Sequence, residues 1–238
     1  MIIDLHNHIL PGVDDGALSM EDAVEMAIQA EKCGIKKIVA TPHYCRGCGA
    51  SLAEIEEAYR ELSSVLKNEQ INVKLEKGME IMATDELPEL LKKGEVWTYP
   101  DSSYFLVEFD LDEDEAYFDG LLDRCKNNGF VPIIAHPERY RAVRHRPKLV
   151  ETWHKKGYGI QVNRDSLLGH FGEASFTCAD LFMKNGWVNC IASDAHSPQT
   201  RNSRWSEAFC QLPSRYGLRM LAYCLETAPE KILSNLPL

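Results

Sequence analysis

Short apolar runs alternate with longer amphipathic stretches along almost the whole of this 238-residue chain. The apolar runs have the length of buried strands, and the stretches between them have helical spacing. About seven such units follow one another, which predicts βαβ connections and a parallel sheet. The sequence therefore predicts an α/β fold, either a barrel or a doubly wound sheet, with its site at the carboxyl ends of the strands.

Element boundaries follow from this alternation and from helix-capping residues. Ser19 with Asp22 and Ser51 with Glu54 resemble capping boxes that start two early helices, and Gly34 ends the first of them. Further helices are predicted at residues 85–93, 114–128, 147–156 and 173–185, with two or three more from residue 201 onward. Strands are predicted at residues 2–5, 35–41, 73–81, 103–109, 130–135, 159–162 and 188–192.

Composition narrows the class of protein. An apolar fraction of 45% supports the core of a single domain over residues 1–238, and no repeat or linker divides the chain. The formal net charge of −10 argues against nonspecific nucleic-acid binding, which depends on Lys and Arg at phosphates. Without an export signal or a membrane-spanning apolar run, we expect a cytoplasmic protein whose eight cysteines are reduced.

Acidic and histidine side chains stand at the ends of the predicted strands, where a site is expected. A strand places residues i and i+2 on one face, so that His6 converges with His8, and Asp194 with His196. Imidazole nitrogens mixed with carboxylate oxygens are typical ligands of divalent transition metals, and so many ligands indicate more than one ion. The candidate ligands at strand ends are His6, His8, His43, Glu80, Glu108, His136, Asp194 and His196.

Three acidic positions each have a structural alternative. Asp15, within Asp14-Asp15-Gly16, is either a metal ligand, which we favour, or part of a turn. Glu80 and Glu108 lie in apolar strands, where an ionised carboxylate is costly unless it is paired or bound to metal. A buried ion pair with Lys or Arg is the alternative for both, and the five histidines at neighbouring strand ends favour metal.

Other polar residues give weaker signals. Three histidines, His145, His154 and His170, fit no ligand spacing. Cys45-x-x-Cys48 is a weak zinc candidate, because no second Cys or His pair follows at the spacing of a structural zinc site. Arg139 and Arg201 closely follow ligand motifs, and each is either a surface charge or a bidentate partner of phosphate oxygens beside the metals.

The ordered motifs together resemble the polymerase-and-histidinol-phosphatase (PHP) superfamily of metal-dependent phosphoesterases. More narrowly, they resemble the bacterial PHP-type tyrosine phosphatases of capsule and exopolysaccharide gene clusters. Residues 161–172 also resemble that family and carry no metal ligand, whereas residues 44–49 match no family pattern and put substrate preference in doubt. The matching motifs are residues 3–11 (IDLHNHILP), 14–16 (DDG), 38–43 (IVATPH), 78–81 (GMEI), 107–109 (VEF), 134–139 (IAHPER) and 192–196 (ASDAH).

This resemblance implies a distorted (β/α)7 barrel of the TIM type, the PHP fold, with three divalent metal ions. Manganese is the usual metal of the family, with iron or zinc found in some members. The implied activity is that of a protein tyrosine phosphatase acting on the tyrosine-rich tail of an autokinase that regulates capsular and extracellular polysaccharide synthesis. The implied ligand groups are His6, His8, Glu80 and Asp194 at one ion, Glu80, Glu108 and His136 at a second, and Asp15, His43 and His196 at the third.

Metal chemistry is the route that these residues support. Metal ions activate water for attack at phosphorus, with Arg139 and Arg201 binding the nonbridging oxygens. Whether His43 or His196 gives a proton to the leaving group stays open. Catalysis by a cysteine thiolate is excluded, because no cysteine is followed by an arginine in a Cys-x5-Arg loop. The alternatives are a histidinol-phosphate phosphatase, another small-molecule phosphoesterase and a non-catalytic metal-binding regulatory module.

Overall fold

The computed structural model describes residues 1–47 and 49–238, and every strand pairing within them is parallel. The strands are β1 (Ile2–Asn7), β2 (Ile35–Ala40), β3 (His43–Tyr44), β4 (Lys74–Lys77), β5 (Glu80–Met82), β6 (Tyr104–Glu108), β7 (Val131–Ile134), β8 (Gly159–Asn163) and β9 (Cys190–Ala192). Hydrogen-bonded strands follow one another in two runs, with the order β1-β2-β4 in one and β3-β5-β6-β7-β8-β9 in the other.

The two runs belong to one curled sheet with two interrupted strands. β2 continues into β3 across Pro42, which has no N–H to donate to the ladder. β4 continues into β5 across Gly78, where a Cβ would lie 2.6 Å from the side chain of Val39. A parallel bridge between Asn7 and Ala195 then joins β1 to the segment after β9. Seven strand positions thus form a distorted barrel.

Helices cover the outside of this sheet and connect successive strands. Ser19 caps the first of them by accepting a hydrogen bond from the backbone N–H of Asp22, and Ser51 forms a complete capping box with Glu54. A 3₁₀ turn occupies Pro137–Arg139 and a π-helical turn occupies Tyr223–Thr227. The helices are α1 (Met20–Lys32), α2 (Leu52–Asn68), α3 (Leu87–Lys93), α4 (Glu115–Asn127), α5 (Arg141–His145), α6 (Lys148–Lys155), α7 (Arg164–Leu167), α8 (Glu173–Lys184), α9 (Ser206–Tyr216), α10 (Leu218–Ala222) and α11 (Ala228–Leu233).

Two apolar clusters hold the layers together. The larger lies between the helices and the outer face of the sheet, and it includes Phe118, Trp153 and Phe182. The smaller takes alternate residues from the strands and fills the inside of the barrel. Its members are Ile3, Leu5, Val39, Tyr99, Tyr104, Leu106, Ile133, Ala135, Cys190 and Ile232. Because this smaller cluster fills the inside, the barrel is open at the carboxyl ends of the strands.

The predicted α/β fold with a curled parallel sheet is confirmed, and the predicted strands and longer helices fall within a few residues of the observed ones. Two predictions are corrected in detail. The strand predicted at residues 73–81 is interrupted at Gly78, and the four- and five-residue helices α7 and α5 were not predicted, because they are too short to show helical periodicity. Within the described residues, no helix is both long and apolar enough to cross a membrane.

The cysteines largely follow the prediction that they are reduced. Cys45 is the exception, because it is disulfide-bonded, and a disulfide sulfur is not a thiolate ligand for zinc. Cys48, the other member of that zinc candidate, lies outside the described residues. Six further cysteines are free thiols, namely Cys33, Cys125, Cys178, Cys190, Cys210 and Cys224.

Candidate metal centre

The barrel brings all nine candidate ligands to the carboxyl ends of its strands. Most of them stand on or directly after a strand, and one comes from the loop after β1. The register of β1 against β2 shifts between Asp4 and Asn7, where the chain passes from the inner apolar cluster to the site. The nine residues are His6, His8, Asp15, His43, Glu80, Glu108, His136, Asp194 and His196.

The first group of donor atoms comes from His6, His8, Glu80 and Asp194, whose side chains are all buried. Their donor atoms lie within 4.8 Å of one another. The Nε2 atoms of His6 and His8 are 3.0 Å apart, and each lies within 3.4 Å of a carboxylate oxygen of Glu80 and of Asp194. This is the set that the resemblance implies for one metal ion.

The second group joins His8 to Asp15, His43 and His196. Asp15 Oδ1 lies 3.5 Å from Nε2 of His43 and 3.5 Å from Nε2 of His196. The side chain of Asp15 is 67% exposed, so this group lies at the mouth of the site. His8 is the member that the sequence analysis did not assign to this group.

The third group is built around Glu80 and Glu108. The Nδ1 atom of His43 lies 3.1 Å from Glu80 Oε2 and 3.4 Å from Glu108 Oε2. The Nε2 atom of His136 lies 3.0 Å from Glu80 Oε1 and 3.5 Å from Glu108 Oε1. Glu80 therefore contacts histidines of all three groups, which is the position of a bridging carboxylate.

Hydrogen bonds on the far side of three imidazoles set which nitrogen faces the site. Nδ1 of His6 lies 3.0 Å from Gln161 Oε1, and Nδ1 of His8 lies 2.8 Å from Asp14 Oδ2. Nδ1 of His196 lies 3.0 Å from the backbone oxygen of Asp194. Each of these oxygens accepts a hydrogen bond from Nδ1–H, so the lone pair of Nε2 points into the cluster, as in metal-binding histidines.

The electrostatics of the cluster favour cations at its centre. Burial, together with the negative charge of Glu80, raises the pKa of Glu108 to about 8. Burial lowers the pKa of His136 to about 4 and that of His196 to about 2, so both imidazoles are neutral. His196 Nε2 is a buried polar atom without a hydrogen bond among the described residues. The neutral imidazoles of His136 and His196, the crowded carboxylates and this unpaired nitrogen all fit divalent metal ions.

Two arginines lie beside these groups and contact the same carboxylate. Nη1 of Arg139 is 3.3 Å and Nη2 of Arg201 is 2.6 Å from Asp194 Oδ2. Both side chains line a cavity of about 310 Å³, together with six of the candidate ligands and with Tyr44, Cys45 and Met82. Neither guanidinium is a freely solvated surface charge, because each is paired with the buried carboxylate of Asp194.

The backbone is strained at three of these residues. His136, Asp194 and Arg201 have φ values of 31°, 50° and 46°, in the left-handed region that non-glycine residues rarely adopt. Such conformations persist only where the surrounding structure enforces them, and they concentrate at functional sites. Three of the six described non-glycine residues with a positive φ thus lie at this end of the barrel.

Sequence reasoning missed the residues that orient the ligands. Asp14 makes the turn expected of Asp-Asp-Gly by accepting a hydrogen bond from Gly16 N–H, yet it also holds His8. Gly16 is required there because a Cβ would lie 2.2 Å from the carbonyl oxygen of His8. Asn163 donates a 2.6 Å hydrogen bond to Asp194 Oδ2. Gln161 and Asn163 were recognisable as polar residues two apart in an otherwise apolar strand.

The three histidines excluded by spacing stay outside the three groups. His145 and His170 are exposed, and His154 is half-buried on α6. His170 lies 3.7 Å from Asp165 and 3.6 Å from Glu207, away from the candidate ligands.

Comparison with known proteins gives a consistent result over the full length. The family model described as capsular polysaccharide synthesis, CpsB/CapC, matches residues 2–234. Tyrosine-protein phosphatase YwqE of Bacillus subtilis (strain 168) is 35% identical over 235 residues, which are 98% of this chain and 92% of YwqE. Tyrosine-protein phosphatase CpsB of Streptococcus pneumoniae is 28% identical over 240 residues, which are 98% of this chain and 99% of CpsB.

A solved structure also matches the whole chain. It comes from work on YwqE of Bacillus subtilis and CpsB of Streptococcus pneumoniae, described there as unique metal-dependent tyrosine phosphatases. The TM-score is 0.92 at 34% sequence identity, and the match covers 100% of this chain and 96% of the other. The resemblance inferred from the ordered motifs is thereby confirmed.

Proposed function

This chain belongs to the CpsB/CapC family of capsular polysaccharide synthesis proteins, and on that premise we propose that it is a metal-dependent protein tyrosine phosphatase. The observation that carries the proposal is the meeting of two unlike sets of residues in one cavity. One set supplies imidazoles and carboxylates for cations, and the other supplies two guanidinium groups for an anion. A phosphate group is the ligand that needs both sets at once.

For the metal centre, we propose three divalent ions, with manganese as the physiological metal. The first would be held by His6, His8, Glu80 and Asp194, and the second by Glu80, Glu108 and His136. The third would be held by Asp15, His43 and His196. Support comes from the distances within each group and from the Nε2 orientation set by Gln161, Asp14 and the backbone of Asp194.

The chemistry divides between the ions and the protein. When bound, the ions would lower the pKa of a water molecule so that it can attack phosphorus, and they would stabilise negative charge on the phosphate oxygens. Arg139 and Arg201 bind the nonbridging phosphate oxygens and offset the charge that develops as the ester bond breaks. Tyr44 and Met82 line the same cavity and offer an aromatic and an apolar wall to the tyrosine ring. A tyrosine leaving group has a pKa of about 10 and so needs little help from an acid.

The sequence left His43 and His196 as alternative proton donors to the leaving group, and of these two we propose His43. Its side chain is 35% exposed and lines the cavity, so it can reach the leaving oxygen through water. The side chain of His196 is only 8% exposed and does not line the cavity. His43→Gln, compared at equal metal content, should lose more rate on a phosphoserine peptide than on p-nitrophenyl phosphate, whose leaving group needs no proton. An equal loss on both substrates would exclude this role.

As the physiological substrate, we propose the tyrosine-rich tail of a bacterial tyrosine autokinase that regulates capsular and extracellular polysaccharide synthesis, with the enzyme located in the cytoplasm. The family description and the names of the relatives support this choice. The formal net charge of −10 makes contact with nucleic acid unfavourable and leaves substrate binding to local positive charge such as the two arginines.

Substrate turnover separates this proposal from its alternatives. Protein loaded with Mn²⁺ should release phosphate from a phosphotyrosyl peptide with a kcat/KM that exceeds that for histidinol phosphate by roughly a hundredfold or more. Faster turnover of histidinol phosphate would assign the chain to small-molecule chemistry instead. Binding of the peptide without turnover of any phosphomonoester would show instead that the chain is a non-catalytic regulatory module.

A further inference from the structure

An aromatic side chain outside the cavity lining contacts both arginines. The guanidinium carbon of Arg139 lies 5.2 Å from the centre of the Phe171 ring, and that of Arg201 lies 5.7 Å from it. Both distances are within the range of cation–π attraction. Phe171 belongs to residues 161–172, a stretch that the sequence analysis singled out and that contributes no candidate metal ligand.

The two arginines otherwise share one charged partner, Asp194 Oδ2. That carboxylate is also a proposed metal ligand, and its attraction for the arginines weakens when its charge is shared with a cation. Two guanidinium groups at one carboxylate oxygen also repel each other. A neutral aromatic ring attracts both groups through its π face and uses none of their N–H donors. Those donors therefore stay available for phosphate oxygens.

The loop that carries Phe171 is fixed by its backbone. Gly169 and Gly172, on either side of it, have φ values of 85° and 86°, a conformation that favours glycine. The N–H of Gly172 donates to the carbonyl oxygen of Gly169 at 3.1 Å, and the N–H of His170 donates to that of Asp165 at 2.9 Å. The ring is thus held by a turn that follows α7, which itself follows β8 directly.

From these contacts we propose that Phe171 is a positioning residue that holds Arg139 and Arg201 together in the orientation that binds the phosphate group of the substrate. The inference rests on the proposed phosphatase function and adds a residue that acts through the arginines. Phe171 lies outside the cavity lining and belongs to none of the candidate ligand groups. Its effect is therefore expected on any ligand that carries a phosphate group, including inorganic phosphate.

Three substitutions distinguish the effect of the π face of the Phe171 ring from the effect of its side-chain volume. Phe171→Ala removes both, Phe171→Leu keeps an apolar side chain without a π face, and Phe171→Tyr keeps the face. The matched control is Phe176→Ala, which removes a contact of the same kind, since the Arg215 guanidinium carbon lies 5.0 Å from the Phe176 ring centre. Each Mn²⁺-loaded variant is measured for metal content, for kcat and KM on p-nitrophenyl phosphate, and for affinity for inorganic phosphate by titration calorimetry.

The expected result is a weaker affinity for inorganic phosphate in Phe171→Ala and Phe171→Leu, by about 3- to 30-fold, at unchanged metal content. Phe171→Tyr and Phe176→Ala should behave like wild type. Wild-type phosphate affinity in Phe171→Ala would overturn the proposal, and so would equal affinities in the Leu and Tyr variants. If the wild-type protein binds phosphate but hydrolyses no phosphomonoester, the proposed function fails while the phosphate titrations still decide the role of Phe171.

Discussion

Nδ1 of His8 lies 2.8 Å from Oδ2 of Asp14, and the same oxygen accepts a hydrogen bond from the backbone N–H of His43 at 2.9 Å. One buried carboxylate thus orients a candidate ligand that directly follows β1 and fixes the start of β3, where a second candidate ligand stands. A carboxylate behind a metal-binding imidazole sets its tautomer and strengthens it as a donor. The loop between β1 and α1 is therefore part of the site.

Replacing Asp14 by Asn should weaken Mn²⁺ binding by roughly 10- to 100-fold, the usual effect of losing such a partner. The amide can no longer act as a charged acceptor for His8, whereas the shape of the side chain is kept. Metal affinity by titration calorimetry is the measurement, and Asp112→Asn, an exposed carboxylate paired with Arg141, is the matched control. Unchanged affinity in Asp14→Asn would show that the contact does not orient a ligand.

His136→Ala and Asp194→Ala should each lose bound metal and most of the activity. Each change removes a donor atom from a group in which the number of ligands sets the geometry of the ion. Elemental analysis of the purified variants is the check, with His145→Ala, at an exposed histidine outside the groups, as the control. Full metal content in both variants would remove these residues from the ligand set.

The pH dependence of metal binding should report Glu108. Its pKa is raised to about 8 by burial and by Glu80, so in the metal-free protein it holds a proton at neutral pH that a cation must displace. Metal affinity should therefore rise as the pH increases towards about 8, by up to about tenfold per pH unit from this group, and level off above it. Calorimetry in two buffers of different ionisation enthalpy counts the released proton.

Glu108→Gln supplies the control for that measurement, because an amide has no proton to lose in this range. The variant should bind metal more weakly and release about one proton fewer at neutral pH. Equal proton release by both proteins would assign the proton to another group of the cluster.

Arg139→Ala and Arg201→Ala should each lower kcat/KM by roughly 10- to 1000-fold while leaving the metal content intact. A guanidinium cannot coordinate a cation, but it pairs with phosphate oxygens as charge develops. Arg141→Ala, two residues from Arg139 and exposed, is the control. A higher KM at unchanged kcat would mean that the arginine binds the ground state and the transition state equally. Wild-type kinetics with full metal content would return either residue to the surface-charge interpretation.

The sequence predicted that most of these side chains meet, because they stand at strand ends and a parallel barrel brings all strand ends together. His6, Glu108 and Asp194 were identified as candidate ligands in this way. Phe171 was not, because its role depends on the three-dimensional approach of two arginines that lie 32 and 30 residues away in the chain. Asp14 was given no role of its own, because the sequence offered a turn only as the alternative interpretation of Asp14-Asp15-Gly16, and Asp14 also makes that turn.

The sequence predicted the fold about as fully as it predicted the candidate site. Hydrophobic periodicity gave the long helices such as α2 and α4, but it carries no information on helices as short as α5 and α7. The interruption at Gly78 depends on the approach of Val39 from the neighbouring strand, and the run 73–81 shows only an uninterrupted extended pattern. Contacts between distant segments thus account for most of what local patterns missed.

The central claim, that phosphotyrosine hydrolysis here depends on metal and not on a thiol, has one direct measurement. Phosphate release from a phosphotyrosyl peptide is followed in untreated protein, after exhaustive chelation, after addition of Mn²⁺ to the chelated protein, and after alkylation by iodoacetamide. We predict that chelation abolishes turnover, that Mn²⁺ restores it, and that alkylation changes it little. Full activity after exhaustive chelation, or complete loss on alkylation with metal retained, would contradict the claim.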